Sequence, residues 1–287
     1  MDGPLVRLPL LPTGVDWTVC VRDAATGEVL AAQSPERVLR TASIGKIFLL
    51  CEAARRFESG EMDPGGPVSW LDEELVADSG LWHRLSLRSL PAVDACSLIG
   101  AVSDNLATNV FVRVLGIDSI RAMARALGCE DSALLDRVRD SRGPSDPPTL
   151  SVGRADELSS VMVQLHRCAA GAAGAVSPAV AARVLAWLGA NTDLSMVSSA
   201  FCLDPLGHDE FDRDLWLVNK TGTVSTARVD VGLVRHVDGR AVAWAVGANW
   251  DADTDPRDEV LASMAGIGRA IRSEFASSAH FQEFPHS

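Results

Sequence analysis

The sequence has no tyrosine, and aromatic residues make up only 5% of its 287 residues. Neither a tyrosine base nor a tyrosine gate can therefore operate in a site of this chain. Basic residues are also scarce, since 26 Lys and Arg stand against 38 Asp and Glu and leave a net charge of -12. This charge repels phosphate backbones and anionic lipid headgroups. We therefore expect neither nucleic acid nor a membrane as a partner.

Long apolar runs and a targeting signal are missing as well. The longest runs, such as IFLLCEAA at 47–54, are much shorter than the ~20 residues that cross a bilayer. The N-terminus has no clustered basic segment, carries Pro4, Pro9 and Pro12 in its apolar part, and shows no small-residue cleavage site. The sequence therefore predicts a cytoplasmic protein, or a secreted one if a leader precedes the printed residues.

Cysteine and histidine form no metal-binding pattern. The cysteines contain no C-x-x-C pair and have no matching histidine spacing, so the sequence predicts reduced, buried thiols without zinc, another metal or a cofactor. His208 lies in the acidic segment LDPLGHDEFDRD at 203–214, which is more typical of a solvated insertion than of a metal site. The six cysteines are Cys20, Cys51, Cys96, Cys129, Cys168 and Cys202.

The sequence does have a hydrophobic share of 47%, which suits an extensive core. Two short apolar runs around AATG at 24–27 predict a β-hairpin, and three runs between 214 and 250 predict three further strands. Helical patterns dominate about 41–190, and an amphipathic pattern at 257–275 predicts a last helix that covers the sheet.

These elements predict an α/β (α+β) fold with two domains. Residues 1–40 and 191–287 would form a discontinuous domain around a five-stranded antiparallel sheet flanked by terminal helices. Residues 41–190 would form an inserted all-α domain, with the active site at the interface.

Three short motifs carry candidate chemistry. In LRTASIGKIFLL at 39–50, Ser43 and Lys46 are three positions apart, so on a helix they bring a hydroxyl beside an amine. This pair alone is more typical of a serine near a helix N-cap and a solvated lysine. The triplets SDN at 103–105 and KTG at 220–222 are also common alone, as a turn and as the end of a strand.

Together and in this order, the motifs are those of serine acyl-enzyme hydrolases. The sequence resembles the superfamily of class A β-lactamases and penicillin-binding proteins over about 15–275, and the 60 positions from Ser43 to Ser103 equal the family's separation. This resemblance implies a β-lactamase-like fold. The segments that carry it are VRDAATGEVLAAQSPERVLRTASIGK at 21–46, SDNLATNVFV at 103–112 and LVNKTGTVSTARVDVGLV at 217–234.

The resemblance implies catalytic roles for three residues. Ser43 would attack a carbonyl carbon, which requires a nearby base. Lys46 would be that base in its neutral form, favoured by burial and by the like charge of Lys220, and Asn105 could accept a hydrogen bond from it. Ser103 would relay the proton to the leaving nitrogen.

The resemblance also implies substrate-binding residues on the KTG strand. Lys220 and Thr221 would bind a substrate carboxylate, and Gly222 would let the strand approach closely. The backbone N–H groups of Ser43 and Thr223 would form an oxyanion hole.

Two further residues have two interpretations each. Arg228 either adds a carboxylate contact or is an ordinary exposed strand arginine. Trp82 either stacks on the substrate in place of a tyrosine gate or packs in the core or between the domains.

Other features depart from the family pattern. Class A enzymes carry a loop glutamate that activates the deacylating water, and the segment that resembles this loop has none. Asp136, Asp140 and Asp146 are candidate replacements, although a loop-pinning pair between Asp146 and Arg139 or Arg142 is favoured. Many class A enzymes have a disulfide, and Cys96 lies at the position of one of its two cysteines. Cys51 lies one residue later than the usual position of the other, which rotates it ~100° around the helix and argues against a bridge.

The sequence therefore predicts a monomeric serine hydrolase that forms an acyl-enzyme on Ser43 with a small molecule, a β-lactam or a related amide or ester. One alternative is a penicillin-binding, DD-peptidase-like or transacylating protein with slow deacylation. Another is a binding protein that keeps the pocket without turnover.

Overall fold

The structure, a computed structural model, describes residues 6–208 and 210–276. Its largest sheet has five antiparallel strands, which confirms the predicted fold class. The strands are β1 (Asp16–Asp23), β2 (Val29–Gln33), β3 (Leu39–Arg40), β4 (Pro67–Ser69), β5 (Ser89–Pro91), β6 (Ala133–Leu134), β7 (Ser151–Gly153), β8 (Leu215–Val224), β9 (Ala227–His236) and β10 (Ala241–Asn249).

The five-stranded sheet joins the two ends of the chain. Its order is β2-β1-β10-β9-β8, and β1 pairs with β10 from Asp16 opposite Asn249 to Asp23 opposite Val242. The KTG motif lies near the end of β8, which is an edge strand of this sheet. The predicted domain boundaries at 40 and 190 stay a prediction, and residues 1–5, 209 and 277–287 lie outside the described residues.

Within residues 6–208 and 210–276, seven α-helices follow the predicted helical patterns. Helix ends agree with local sequence: Gly60 has a left-handed φ of 75° at the end of the first helix, and the Ser177 side chain caps the sixth. The helices are α1 (Lys46–Ser59), α2 (Ala92–Val102), α3 (Asn105–Leu115), α4 (Ile117–Ala126), α5 (Ala155–Ala169), α6 (Pro178–Gly189) and α7 (Arg257–Ala276).

The sheet separates two hydrophobic cores, and strand alternation divides the side chains between them. On β10, Ala243 and Ala245 face the core that contains α1, α5 and α6, whereas Trp244 and Val246 face the core beneath α7. The Trp244 ring stacks on Phe201 with centroids 5.9 Å apart. The alanines let α5 approach the sheet closely, and α7 covers the other face as predicted.

Helix α1 is the centre of the inserted helices. It contacts α2, α3, α4 and α6, and residues 46–54 of it are all buried. A helix that is apolar on most sides is buried among other elements, which agrees with the apolar run IFLLCEAA at 47–54. The nucleophile candidate Ser43 therefore lies just before the N-terminus of a helix that is packed against four others.

Cys51 and Cys96 are both buried free thiols, so no bridge forms between them. Within the described residues no group of three or more histidine, cysteine or acidic side chains could hold a metal ion. His208 is buried, with Nδ1 2.9 Å from the Asp204 carbonyl oxygen, whereas most of the described residues of the acidic segment around it are exposed, as expected of a solvated insertion. None of the helices in this part of the chain is both long and apolar enough to span a bilayer.

Candidate active site

Ser43 lies in a tight turn that leads into α1. Residues Ala42–Gly45 form a single 3-10 turn, and Ala42 has a left-handed φ of 49°. The Ser151 hydroxyl donates to the Ala42 carbonyl oxygen at 2.6 Å and contacts the Gly45 N–H at 3.3 Å. Because such a backbone conformation costs about 1–3 kcal/mol, these contacts are needed to hold Ser43 at the helix start.

Lys46 is completely buried beneath this turn. Its Nζ lies 2.7 Å from the Ser103 carbonyl oxygen, 2.8 Å from Asn105 Oδ1 and 3.2 Å from Ser103 Oγ. Burial, together with the charge of Lys220, lowers the pKa of Lys46 well below that of an ordinary lysine, and Asp104 opposes the shift. The first and second motifs are therefore joined through one amine.

Three oxygens surround Lys46 Nζ, so the contacts fit an ammonium, which would donate to all three, as well as a neutral amine, which has two N–H donors and one lone pair. The Ser103 carbonyl and Asn105 Oδ1 can only accept, so they would take the two donors, and the Ser103 hydroxyl could donate to the lone pair. No hydrogen bond joins Lys46 Nζ to the Ser43 hydroxyl within the described residues. A proton path from Ser43 would thus form only with substrate bound, as is common in unliganded sites.

Asp104, the middle residue of SDN, holds the loop around Ser103. Its Oδ1 accepts from the Ala107 N–H at 2.8 Å and caps α3, while Oδ2 accepts from the Leu81 and Trp82 N–H groups at 2.7 and 2.8 Å. Ser103 has a left-handed φ of 56° at the end of α2. Asp104 is fully buried and serves the backbone of this loop.

Trp82 does not face the cleft. Its side chain is fully buried, and its Nε1 donates to the Leu87 carbonyl oxygen at 3.0 Å. The interpretation as a substrate-stacking residue is therefore wrong, and core packing is correct. Ser79, in the turn DSG at 78–80 that precedes Trp82, lines both clefts instead.

The KTG strand β8 runs against the serine turn. A Cβ on Gly222 would collide with the Thr41 carbonyl oxygen and lie 3.2 Å from the Ser43 backbone nitrogen, so only glycine permits this approach. Lys220 is fully buried and donates from Nζ to the Thr221 carbonyl oxygen at 2.9 Å. Burial lowers the pKa of Lys220 to about 8, against opposing charges from Asp193 and Asp230.

Arg228 lies opposite Thr223 on β9 but turns towards the hairpin end. Its Nη1 donates to the Val224 and Ala227 carbonyl oxygens at 2.6 and 2.8 Å, and its guanidinium lies 5.8 Å from the Trp250 ring centroid. It lines neither cleft beside Ser43. The structure therefore favours the interpretation as an ordinary strand arginine.

Two clefts meet at Ser43, and Thr223 lines both of them. The large cleft, of about 660 Å³, extends between Asn105, the loop at 138–150 and the β8–β9 turn. The small cleft, of about 160 Å³, contains Ser103 and Thr221. The motif residues that reach solvent therefore converge on one opening, as the sequence predicts.

The loop that follows β6 is held by arginines. Asp136 accepts from Arg139 Nε at 2.7 Å and from Arg142 Nη1 at 2.6 Å, and Arg139 also lies 3.2 Å from Asp146. Burial alone would raise the pKa of Asp136, but the hydrogen bonds from Arg139 and Arg142 lower it below its usual value. Asp136 and Asp146 pin the loop, in agreement with the favoured interpretation.

Asp140 is the one candidate replacement that reaches the large cleft. Its Oδ1 accepts from the Ala77 N–H at 2.9 Å, and the side chain is exposed. The same wall of the cleft carries Arg139 and Arg142. No described hydrogen bond directs the Asp140 carboxylate towards Ser43, so the loop offers a water near the serine little general-base help.

We expect Asp136→Asn to lower the free energy of unfolding by about 2 kcal/mol, because the two arginines lose their charged partner in a mostly buried site. Urea denaturation at pH 7 measures this change. Asp118→Asn, whose parent side chain is 94% exposed, is the matched control and should change stability by less than about 0.5 kcal/mol. Because the folded-state pKa of Asp136 is lowered, its contribution is present above about pH 4 and is lost as the pH falls through the folded-state value. A difference that does not diminish at all as the pH falls below about 4 would contradict this explanation.

The antiparallel sheet with inserted helices, and the three motifs around one opening, define the class A β-lactamase-like fold. The sequence model described as the Beta-lactamase enzyme family matches residues 11–275, so the chain belongs to this family.

Individual relatives are distant. A β-lactamase regulatory protein, BlaB, from Streptomyces cacaoi is 24% identical, with 90% of this chain and 92% of the relative covered. The β-lactamase of Sphaerobacter thermophilus DSM 20745 superimposes with a TM-score of 0.76 at 21% identity, with 90% of this chain and 91% of that chain covered. PBP-A also gives a TM-score of 0.76, at 15% identity, with 93% and 92% covered. These structures share the fold.

Proposed function

We propose that the chain is a serine acyl-transfer enzyme that forms a long-lived acyl-enzyme on Ser43 with a β-lactam or a related amide or ester. The observation that carries the proposal is the buried Lys46, which has a lowered pKa and contacts both Ser103 and Asn105 beneath Ser43. A lysine needs such burial to act as a base near neutral pH.

In the proposed reaction, Ser43 Oγ forms a bond to the substrate carbonyl carbon and its proton passes to Lys46 Nζ. Collapse of the tetrahedral intermediate breaks the bond to the leaving nitrogen or oxygen, which receives the proton through the Ser103 hydroxyl. The close contact of Gly222 with the serine turn supports an oxyanion hole between the N–H groups of Ser43 and Thr223.

Release of the acyl group requires a base that activates a water molecule, and the large cleft offers few carboxylates for this role. The carboxylates that line the large cleft are Asp78 and Asp140, while Arg139 and Arg142 occupy much of the loop wall. We therefore assign slow deacylation, which places the function closer to a penicillin-binding protein than to an efficient β-lactamase.

A second candidate is a β-lactam-responsive regulatory protein that uses the persistent adduct as its signal. The specific observation in its favour is the similarity to the regulatory protein BlaB, joined with the lack of a well-placed loop carboxylate. The chemistry at Ser43 would be the same as in the first candidate, and only its use would differ.

Timed intact-protein mass spectrometry with benzylpenicillin tests the proposal. We expect a 1:1 adduct on Ser43 that persists for minutes, and a burst of product followed by a low steady rate. A transient adduct with rapid turnover would replace slow deacylation by an ordinary β-lactamase activity. Failure of both benzylpenicillin and a fluorophosphonate to label Ser43 would overturn the enzyme proposal and favour a binding protein.

A further inference from the structure

The small cleft is the leaving-group side of the proposed site. Ser103, which would protonate the leaving atom, lines the small cleft and not the large one, whereas Ser43 lies at the junction of both. A substrate carbonyl at Ser43 would therefore direct its leaving group into the small cleft. A cavity of about 150 Å³ holds a molecule of the size of benzene, so a cleft of about 160 Å³ suits a group of roughly six non-hydrogen atoms.

Asp193 places a negative charge in this cleft. Its Oδ1 accepts from the Ser195 hydroxyl at 2.6 Å and from the Ser195 N–H at 3.1 Å, and the residue lines the cleft beside Thr221. These hydrogen bonds hold the carboxylate in place. The sequence offered no sign of this position, because residue 193 lies in an irregular segment between α6 and β8.

The negative charge of Asp193 offsets part of the attraction that Lys220 and Arg228 would exert on a substrate carboxylate. Asp193 acts electrostatically on both Lys220 and Arg228 and raises the pKa of each, although burial dominates and lowers both. Arg228 is directed to the hairpin carbonyls, and the buried Asp230 is a second negative neighbour of Lys220. A carboxylate entering the small cleft would thus lie beside Asp193, which lines the cleft, whereas Lys220 is fully buried and is not among the lining residues.

We propose that the small cleft binds an uncharged leaving group, and that Asp193 disfavours substrates with a carboxylate beside the scissile bond. The substrate class is then an ester or amide with a small neutral leaving group. This inference rests on the proposed function and names its substrate. The acylation step is unchanged: the serine proton ends on the leaving atom, so that a neutral alcohol or amine departs.

Benzylpenicillin and its methyl ester test the proposal, because they differ in the charge of the carboxylate and otherwise by only one methyl group. Second-order acylation rates are measured for both compounds by quenched intact-protein mass spectrometry. We expect the wild-type chain to acylate with the methyl ester at least as fast as with the free acid. Asp193→Asn should raise the ratio of the free-acid rate to the ester rate about tenfold, because only the acid gains from loss of the repulsion.

Asp118→Asn removes the same charge at an exposed position on α4 and should leave the acid-to-ester ratio unchanged. A wild-type preference for the free acid of more than tenfold would overturn the inference without any variant, and so would an unchanged ratio in Asp193→Asn. Either result leaves the proposed function standing, because Ser43 is still acylated. Absence of any adduct from both compounds and from a fluorophosphonate would instead overturn the proposed function and this inference with it.

Discussion

Replacement of Ser43 by alanine is expected to abolish covalent labelling by benzylpenicillin and by fluorophosphonates. The change removes only the hydroxyl group, and in the proposed reaction its oxygen, Oγ, bonds to the carbonyl carbon. Intact-protein mass spectrometry after long incubation measures the effect, which should be complete and not partial. Ser263→Ala removes an exposed hydroxyl on α7, where it donates to the Glu259 carbonyl oxygen, and is the matched control.

The fold should survive this change. The Ser43 side chain is partly exposed and makes no hydrogen bond to another described residue, so alanine should alter stability by less than about 0.5 kcal/mol. Circular dichroism and urea denaturation check this point. A folded Ser43→Ala protein that is still labelled at the wild-type rate would show that another residue is the nucleophile.

Much of the fold could be predicted because its elements have clear periods. The five strands of the main sheet alternate or run apolar, and α1 and α7 have long helical patterns. The short strands β3, β6 and β7 have only two or three residues, too few for a period of two to be visible. These strands are positioned by contacts between distant parts of the chain, such as the hydrogen bonds that join Ser151 on β7 to Ala42 and Gly45 in the serine turn.

Some residues of the candidate site could be predicted from the sequence and others could not. Ser43, Lys46 and Ser103 could be placed because each motif belongs to a regular element or its end. The direction of Trp82 could not, because Asp104 sets the loop conformation through two hydrogen bonds that no local pattern reports. Asp193 was missed for a similar reason, since only the fold brings its irregular segment beside β8.

Replacement of Lys46 by methionine is expected to slow acylation by about 10²–10⁴, the usual contribution of general-base help. Methionine keeps much of the buried volume but has no basic nitrogen. It also leaves the Ser103 carbonyl and Asn105 Oδ1 without a donor, so we expect a loss of stability of about 1–3 kcal/mol. Rates are therefore compared at a temperature where denaturation curves show both proteins fully folded.

The pH dependence of acylation separates a base from a structural residue. If neutral Lys46 is the base, the wild-type rate rises with pH and reaches its plateau at a pKa well below the ordinary lysine value, because burial favours the neutral amine. The methionine variant should lack this rising limb. A variant that acylates at nearly the wild-type rate, with the limb intact, would exclude Lys46 as the base.

The lysine pKa can also be measured directly, because Lys46 and Lys220 are the only two lysines in the sequence. Lysine labelled with carbon-13 should give two side-chain signals, one titrating near pH 8 from Lys220 and one well below the ordinary value from Lys46. The methionine variant assigns them. If the Lys46 signal titrated near 10.5 instead, the amine would be protonated at neutral pH, its lone pair would be unavailable to Ser43, and the proposed proton path would fail.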